Sequence, residues 1–285
     1  MHNESLDINT NSKKNIFSAL CCLIIAASAG GAPAEKDVRR VPVIMYHSVC
    51  NTGVCRYVLS PEDFRADCEY LRAHGYETVF ISDIVDFCDG KADLPPKPIV
   101  LTLDDGFYNN LYYVDEIAKE YGVKFTVSVV GSYCEKEEGE RKRSPVYSYL
   151  NSAEIKALHD GGRAEIANHS FDMHHSSASR KGVRKKAGES AEEYEQAITL
   201  DSEKCRKLVF EACGKTMDVF TYPFGYSSRD TADILSRLGY RAILTCVNGI
   251  NEFEKGSTRG LKSIMRYNRS GLIKTEEFFK KIGIS

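Results

Sequence analysis

The chain alternates strand-like apolar runs with helical segments along almost its whole length, and this alternation most restricts its fold. Strand-like runs stand at 41–48, 78–80, 99–103, 123–130, 164–167, 217–221, 241–245 and 263–266. Helical patterns fill the intervals. The first opens at Ser60-Pro61, with Ser as N-cap and Pro at the first helical position; Phe64, Cys68 and Leu71 follow at helical spacing before Gly75. Others run from 82 toward 87, from about 109 to 121 before Gly122, and from 152 to 159 before Gly161-Gly162. The capping box Ser190-Ala191-Glu192-Glu193 opens a long helix reaching Cys213 and closed by Gly214. Helices over 229–238 and from Thr275 complete the pattern. Strand, helix, strand in regular order predicts an α/β fold with a parallel sheet. The run 123–130 barely alternates, so burial on both faces is expected. Residues 131–151 read as a charged loop, and 176–189 as a polar, basic, mobile one.

At 285 residues the chain suits one large domain or two small ones. A 42% hydrophobic and 27% charged composition fits a soluble globular protein, and a formal charge of −2 argues against a nucleic-acid binder. The N-terminus stands apart. Lys13-Lys14 precedes an apolar run over 16–30, then Ala32-Pro33-Ala34, the layout of a secretory signal. The run is shorter than the ~20 residues of a spanning helix, although an uncleaved anchor is the alternative. It lacks the polar face of a buried core helix. Residues 1–34 are therefore set aside as signal or anchor and 35–285 taken as one domain, with the protein secreted or held at the cell surface. Two of the ten cysteines, Cys21 and Cys22, fall in that run. Export permits disulfides, and Cys50–Cys55 would close a short loop. Cys205–Cys213 would span a helix end, and Cys68 lies on an apolar helix face as a buried thiol. A reducing setting would keep all eight reduced. No C-x-x-C pair marks a redox or metal motif.

Four polar clusters follow strands directly: Tyr46-His47, Thr102-Leu103-Asp104-Asp105-Gly106, residues 169–174, and Tyr222-Pro223-Phe224-Gly225. In barrels and open α/β sheets the C-terminal strand ends carry the active site. Two adjacent carboxylates after an apolar strand are costly to bury unless a metal or a proton-transfer task uses them. His169 and His174 are five residues apart, about 140° around an ideal helix, so they cannot share a helix face. A loop folding back can aim both inward. Asp105, His169 and His174 then form a two-histidine, one-carboxylate set for a catalytic divalent metal, with open positions for water and substrate. Asp104 is left for proton transfer, and the chemistry is metal-assisted hydrolysis of a carbonyl compound.

These motifs resemble those of NodB-like polysaccharide deacetylases (family 4 carbohydrate esterases) over about residues 41–270. Thr102-Leu103-Asp104-Asp105-Gly106 is similar to their T-F-D-D-G motif, and His169-Ser170 with His174 to H-[ST]-x-x-H with one residue more. That longer spacing, Tyr46-His47, Tyr-Pro-Phe-Gly and Gly249-Ile250-Asn251 resemble the branch containing poly-N-acetylglucosamine deacetylases. The resemblance implies a distorted (β/α) barrel of about seven strands. It implies Asp104 as general base, and Asp105, His169 and His174 as ligands of a metal, usually zinc. It also implies an oxyanion site around Tyr222, Pro223 and Phe224, with the backbone N–H near Phe224 as donor. The substrate would be an N-acetylated polysaccharide and the protein a monomer, with membrane association only through the N-terminus.

Two motif residues are missing. Thr221-Tyr222-Pro223-Phe224 stands where the family has R-x-P-Y, so the arginine that orients the catalytic Asp is absent. Arg266, at the end of the 263–266 run, is its replacement or else a surface residue. Leu244-Thr245-Cys246 stands where the family has L-x-H. His47 is then the general acid, or else a structural histidine. Because of these gaps, a glycan-binding homologue with impaired catalysis and a hydrolase of small amides or imides stay open beside the N-deacetylase.

Overall fold

In a computed structural model of the protein, residues 36–139, 142–177 and 179–285 are described. The expected signal or anchor lies outside them. No helix among the described residues is long and apolar enough to cross a membrane.

Seven strands form one parallel sheet in the spatial order Ala242–Leu244, Val219–Thr221, Ala164–Asn168, Phe125–Val129, Pro98–Leu103, Val43–Tyr46 and Tyr267–Asn268. Glu77–Thr78 adds a short parallel strand beside Pro98–Leu103. Helices cover the outer face, so the architecture is the expected distorted (β/α) barrel, open as a half-barrel. Near its seam Ile264 bridges Leu244, and three residues later Tyr267 pairs with Ile44. A two-stranded antiparallel ribbon, Val38–Val41 with Asn251–Glu254, stands apart from this sheet.

Period-two alternation sorts the side chains. Ile99, Leu101 and Leu103 pack outward with Ile44, Val127 and the helices. Val100 turns to a second cluster with Val43, Ala167, Val219 and Ile264. Thr102 and Asp104 follow Val100 on that inner side, which places Asp104 inside the barrel near its rim. Phe125–Val129 is buried at every position, as expected for a central parallel strand.

The helix signals hold. Ser60 caps Pro61–Ala73 through its side chain, and Ser190 and Glu193 form the capping box of Ala191–Cys213, which Gly214 ends at φ 69°. Several expectations are corrected. Residues 131–151 are not all loop, because Gly131–Lys136 is a helix. Its first N–H groups are capped from afar, Gly131 by Ser170 O and Ser132 by Phe171 O, so no local capping residue announces it. The helix expected over 109–121 begins as a π turn, Asn110–Asp115, before regular Glu116–Tyr121. There is no strand over 263–266: Leu261–Ser263 is a 3-10 turn, Ile264 makes one isolated bridge, and the strand is Tyr267–Asn268. Arg266 thus leaves the ladder and its side chain enters the interior. Cys50 and Cys55 are not joined, and Cys50 is buried while Cys55 faces solvent. Cys68 is the expected buried thiol. The 176–189 loop is tied down by Arg180 to Glu189, by Tyr194 Oη to Val183 O and by Lys185 N to Ser228 Oγ.

Candidate active site

All four polar clusters meet at the C-terminal rim of the sheet. They line one cleft of about 890 Å³ that includes His47, Asp104, Asp105, His169, His174 and Phe224. That volume sits toward the top of the ~300–1,000 Å³ range of small-molecule sites.

Asp104 is buried and held by Arg266 through two parallel bonds, Nη1 to Oδ1 at 2.7 Å and Nη2 to Oδ2 at 2.9 Å. Arg266, itself fully buried, also donates to Thr102 Oγ1 at 3.1 Å and to Thr245 O at 2.8 Å. The fork therefore aligns the carboxylate as well as neutralising it. Burial pushes the Asp104 carboxyl up, but Arg266, with His169 and His47, outweighs it and leaves the group below the usual carboxylate range. Asp104 is ionised and oriented.

Asp105 turns the opposite way because its backbone enters the left-handed region, at φ 74°. Its Oδ1 lies 3.5 Å from His169 Nε2 and 3.1 Å from His174 Nε2. One donor atom from each of the three residues falls within 4.8 Å of the others. His169 Nδ1 sits 2.9 Å from Thr221 O. A carbonyl only accepts, so Nδ1 carries a hydrogen and Nε2 is the nitrogen that faces Asp105, with its lone pair the one a cation would use. His174 Nδ1 meets Tyr133 Oη at 3.3 Å. Two oriented imidazoles and one carboxylate suit a divalent cation. Burial pushes the Asp105 carboxyl up, and both histidines outweigh it, holding it well below the usual range. Burial pulls His169 down, yet Asp105 and Asp104 leave it above the ordinary histidine value.

Strain is concentrated here. Asp105, Ser170 and Phe224, at φ 74°, 72° and 56°, are the non-glycine residues with positive φ among the described residues. Each such conformation costs about 1–3 kcal/mol and persists only where its surroundings impose it. Phe224 belongs to the Pro223–Gly225 turn, and its ring packs 4.4 Å from that of His174. Gly182 clamps this turn, since a Cβ there would fall 2.5 Å from Pro223 O. Tyr222 is buried behind it.

His47 lines the cleft beside Tyr57, ring centroids 4.9 Å apart, and its buried Nδ1 has no hydrogen-bond partner. Burial holds its pKa below the ordinary value, although Asp104 and Asp105 pull it upward. Cys246, at the position of the family's missing histidine, has Sγ 4.0 Å from Arg266 Nη2. It also packs against Gly225, where a Cβ would sit 2.9 Å from its own.

Three supporting residues escaped sequence reasoning. Asn109 Oδ1 accepts from Val49 N, Asn109 Nδ2 donates to Ser48 Oγ, and Asn110 Nδ2 donates to His47 O. The π turn puts this pair against the His47 segment. Tyr133, on the Gly131–Lys136 helix, sits with its hydroxyl against His174 Nδ1. The Asn109-Asn110 pair following Asp-Asp-Gly was the available signal; Tyr133 had none.

Fold and site together define a hydrolase class, a parallel half-barrel whose rim joins an arginine-held aspartate to an Asp-His-His set with the geometry to hold a cation. The polysaccharide deacetylase family matches residues 91–243, more than half of the chain, and the chain belongs to that family of hydrolases acting on carbon–nitrogen bonds. The poly-β-1,6-N-acetyl-D-glucosamine N-deacetylase of Staphylococcus aureus (strain MRSA252) is 21% identical over 200 residues, which are 69% of this chain and 64% of that one. The Escherichia coli (strain K12) enzyme of the same name is 24% identical over 206 residues, 64% of this chain but 30% of that one. The chain thus spans less than two thirds of the length of these two relatives. Among solved structures, the de-N-acetylase of Aggregatibacter actinomycetemcomitans has a TM-score of 0.71 at 20% identity, covering 85% of this chain and 99% of that one. IcaB from Ammonifex degensii has a TM-score of 0.67 at 22% identity, covering 81% and 92%. At these identities the structural likeness speaks for the fold.

Proposed function

We propose that the protein is an exported, metal-dependent N-deacetylase of glycans containing N-acetylglucosamine. The observation that carries this is the division of labour between adjacent aspartates: Asp104 forked by Arg266, Asp105 turned toward His169 and His174. Asp105, His169 and His174 would hold the cation, most simply zinc. When bound there, such a cation polarises the amide carbonyl and acidifies water. Asp104, ionised at neutral pH, takes the proton from the attacking water. The arginine fork fixes the carboxylate in place without neutralising it by protonation. The Phe224 N–H, in the strained turn with Tyr222 and Pro223, would donate to the developing oxyanion. His47, which lines the cleft, gives a proton to the departing amine nitrogen.

The names of the relatives support N-acetylglucosamine polymers as the substrate class, and the basic start followed by an apolar run over 16–30 supports export. The test is acetate release from poly-N-acetylglucosamine, peptidoglycan and chitin oligomers, with and without a chelator. Release from at least one glycan, abolished by chelation and restored by added zinc, is expected. Glycan binding with no acetate from any substrate would instead establish a binding protein, and activity confined to small amides would replace the glycan reading.

A further inference from the structure

The cleft is lined by more than the residues of the reaction site. Besides the reaction site, its lining takes in Tyr57, Leu272 and Phe278 and two cations, Arg56 and Lys281, and this part is called the arm. The arm is pre-formed. Gly271 N donates to Cys55 O at 3.1 Å and Asn268 Nδ2 to Arg56 O at 3.2 Å, which stitches the two walls together. The fit at that seam is tight enough that a Cβ on Gly271 would fall 2.1 Å from Val58 O. The wall is anchored from behind by Arg269, whose guanidinium forks onto the buried Asp67 at 2.8 and 2.9 Å. Arg56 lies over the Tyr57 ring, 5.4 Å from its centroid.

The charge of this arm is one-sided. Among the described residues neither Arg56 nor Lys281 pairs with a carboxylate, and both are exposed. Among the described residues, the only acidic side chains lining the cleft are Asp104 and Asp105. Arg266 already neutralises the first, and the second faces two histidines. A protein with a formal charge of −2 therefore presents a cationic arm in its own active-site cleft. Low-dielectric walls focus such a field along a cleft.

We infer that this arm receives an anionic substituent, a carboxylate or a phosphate, carried next to the N-acetylated sugar that enters the reaction site. The inference rests on the glycan-deacetylase reading and refines it. Tyr57 offers an apolar platform to the neighbouring ring, and Arg56 and Lys281 meet its charge. The same field repels the ammonium group that deacetylation creates, so deacetylated stretches are poor ligands and product leaves.

The experiment is equilibrium binding to the zinc-loaded protein, which needs no turnover and stays readable even if no acetate is released. Four probes are used in two matched pairs: a β-1,4-linked N-acetylglucosamine oligosaccharide with lactyl carboxylates on alternate sugars and the same oligosaccharide with those carboxylates converted to methyl amides, then N-acetylglucosamine 1-phosphate and N-acetylglucosamine. Two exposed charge pairs predict about tenfold tighter binding of the carboxylate probe than of its amide. That preference should shrink as salt shortens the screening length. Tighter binding of the sugar phosphate than of N-acetylglucosamine itself would assign the arm to a phosphate. The double substitution Arg56→Ala/Lys281→Ala should abolish the preference and Arg56→Glu/Lys281→Glu should invert it, whereas Lys207→Ala, on a distant helix, should leave it unchanged. Equal affinity for charged and neutral probes, or a preference that survives the double substitution, overturns the proposal.

Discussion

Replacing Arg266 by methionine should both destabilise the protein and mis-protonate Asp104, the proposed base. The wild-type pair is fully buried and makes two charge-assisted bonds at 2.7 and 2.9 Å. Methionine keeps much of the volume but leaves Asp104 buried without its counter-charge, which typically costs about 3–5 kcal/mol. For a domain of this size that is a fall of roughly 10 °C in Tm. The pH dependence has a definite sign. In the wild type the Asp104 pKa is depressed. Its contribution to stability is therefore present above the unfolded value of about 3.9 and lost as pH falls through the lower folded value. In Arg266→Met burial dominates and the folded pKa lies above the unfolded one, so the contribution exists at low pH and disappears as pH rises. The stability gap between the two proteins should widen from pH 4 to pH 7.5. Urea denaturation of chelator-treated proteins measures it free of metal loss. Asp104→Asn/Arg266→Met should close the cycle with a coupling of about 2–3 kcal/mol. A gap below about 1 kcal/mol at neutral pH, or one independent of pH, would refute the reasoning.

Other consequences are checked separately. His47→Gln should lower kcat by about 10²–10³-fold with little change in KM. Because burial lowers the His47 pKa, wild-type kcat/KM should decline as pH rises past a value below the usual histidine range, and this limb should vanish in the variant. Tyr133→Phe removes the hydroxyl beside His174 Nδ1 and should weaken zinc binding about tenfold in a competitive chelator titration. Zinc affinity of the wild type should itself fall from pH 7 to pH 5, since Asp105 and Asp104 favour a proton on His169 that the metal must displace. Phe224→Gly relieves the positive φ but frees the chain, so stability should stay within about 1 kcal/mol of wild type while acetate release drops.

The legible part of the fold was what local chemistry writes down. Ser60, Ser190 with Glu193, and Gly214 announce their helix ends because capping is a short-range interaction. The apolar runs at 99–103 and 123–130 announce buried parallel strands. What stayed hidden depends on partners far along the chain. The Gly131–Lys136 helix is capped by the backbone of residues 170 and 171, and the π turn at Asn110 is set by contacts to residues 47–49. In the site, Asp104, Asp105, His169 and His174 were readable from adjacency and from the ends of strands. Arg266 was readable only as a replacement, from the absence of the family's usual arginine. Its placement in a strand was wrong because the half-barrel seam, a long-range feature, pulls it out of the ladder. Arg56 and Lys281 carry no sequence signal at all, and become a pair only once the 51–57 loop and the last helix form two walls of one cleft.

The division of roles between the two aspartates is tested most directly by measuring zinc content and acetate release together in Asp104→Asn and Asp105→Asn, with poly-N-acetylglucosamine as substrate. Asp104→Asn should hold zinc at the wild-type stoichiometry and release no acetate, while Asp105→Asn should lose zinc and activity together. An Asp104→Asn protein that still releases acetate at the wild-type rate, or an Asp105→Asn protein that binds zinc as tightly as the wild type, would contradict the assignment.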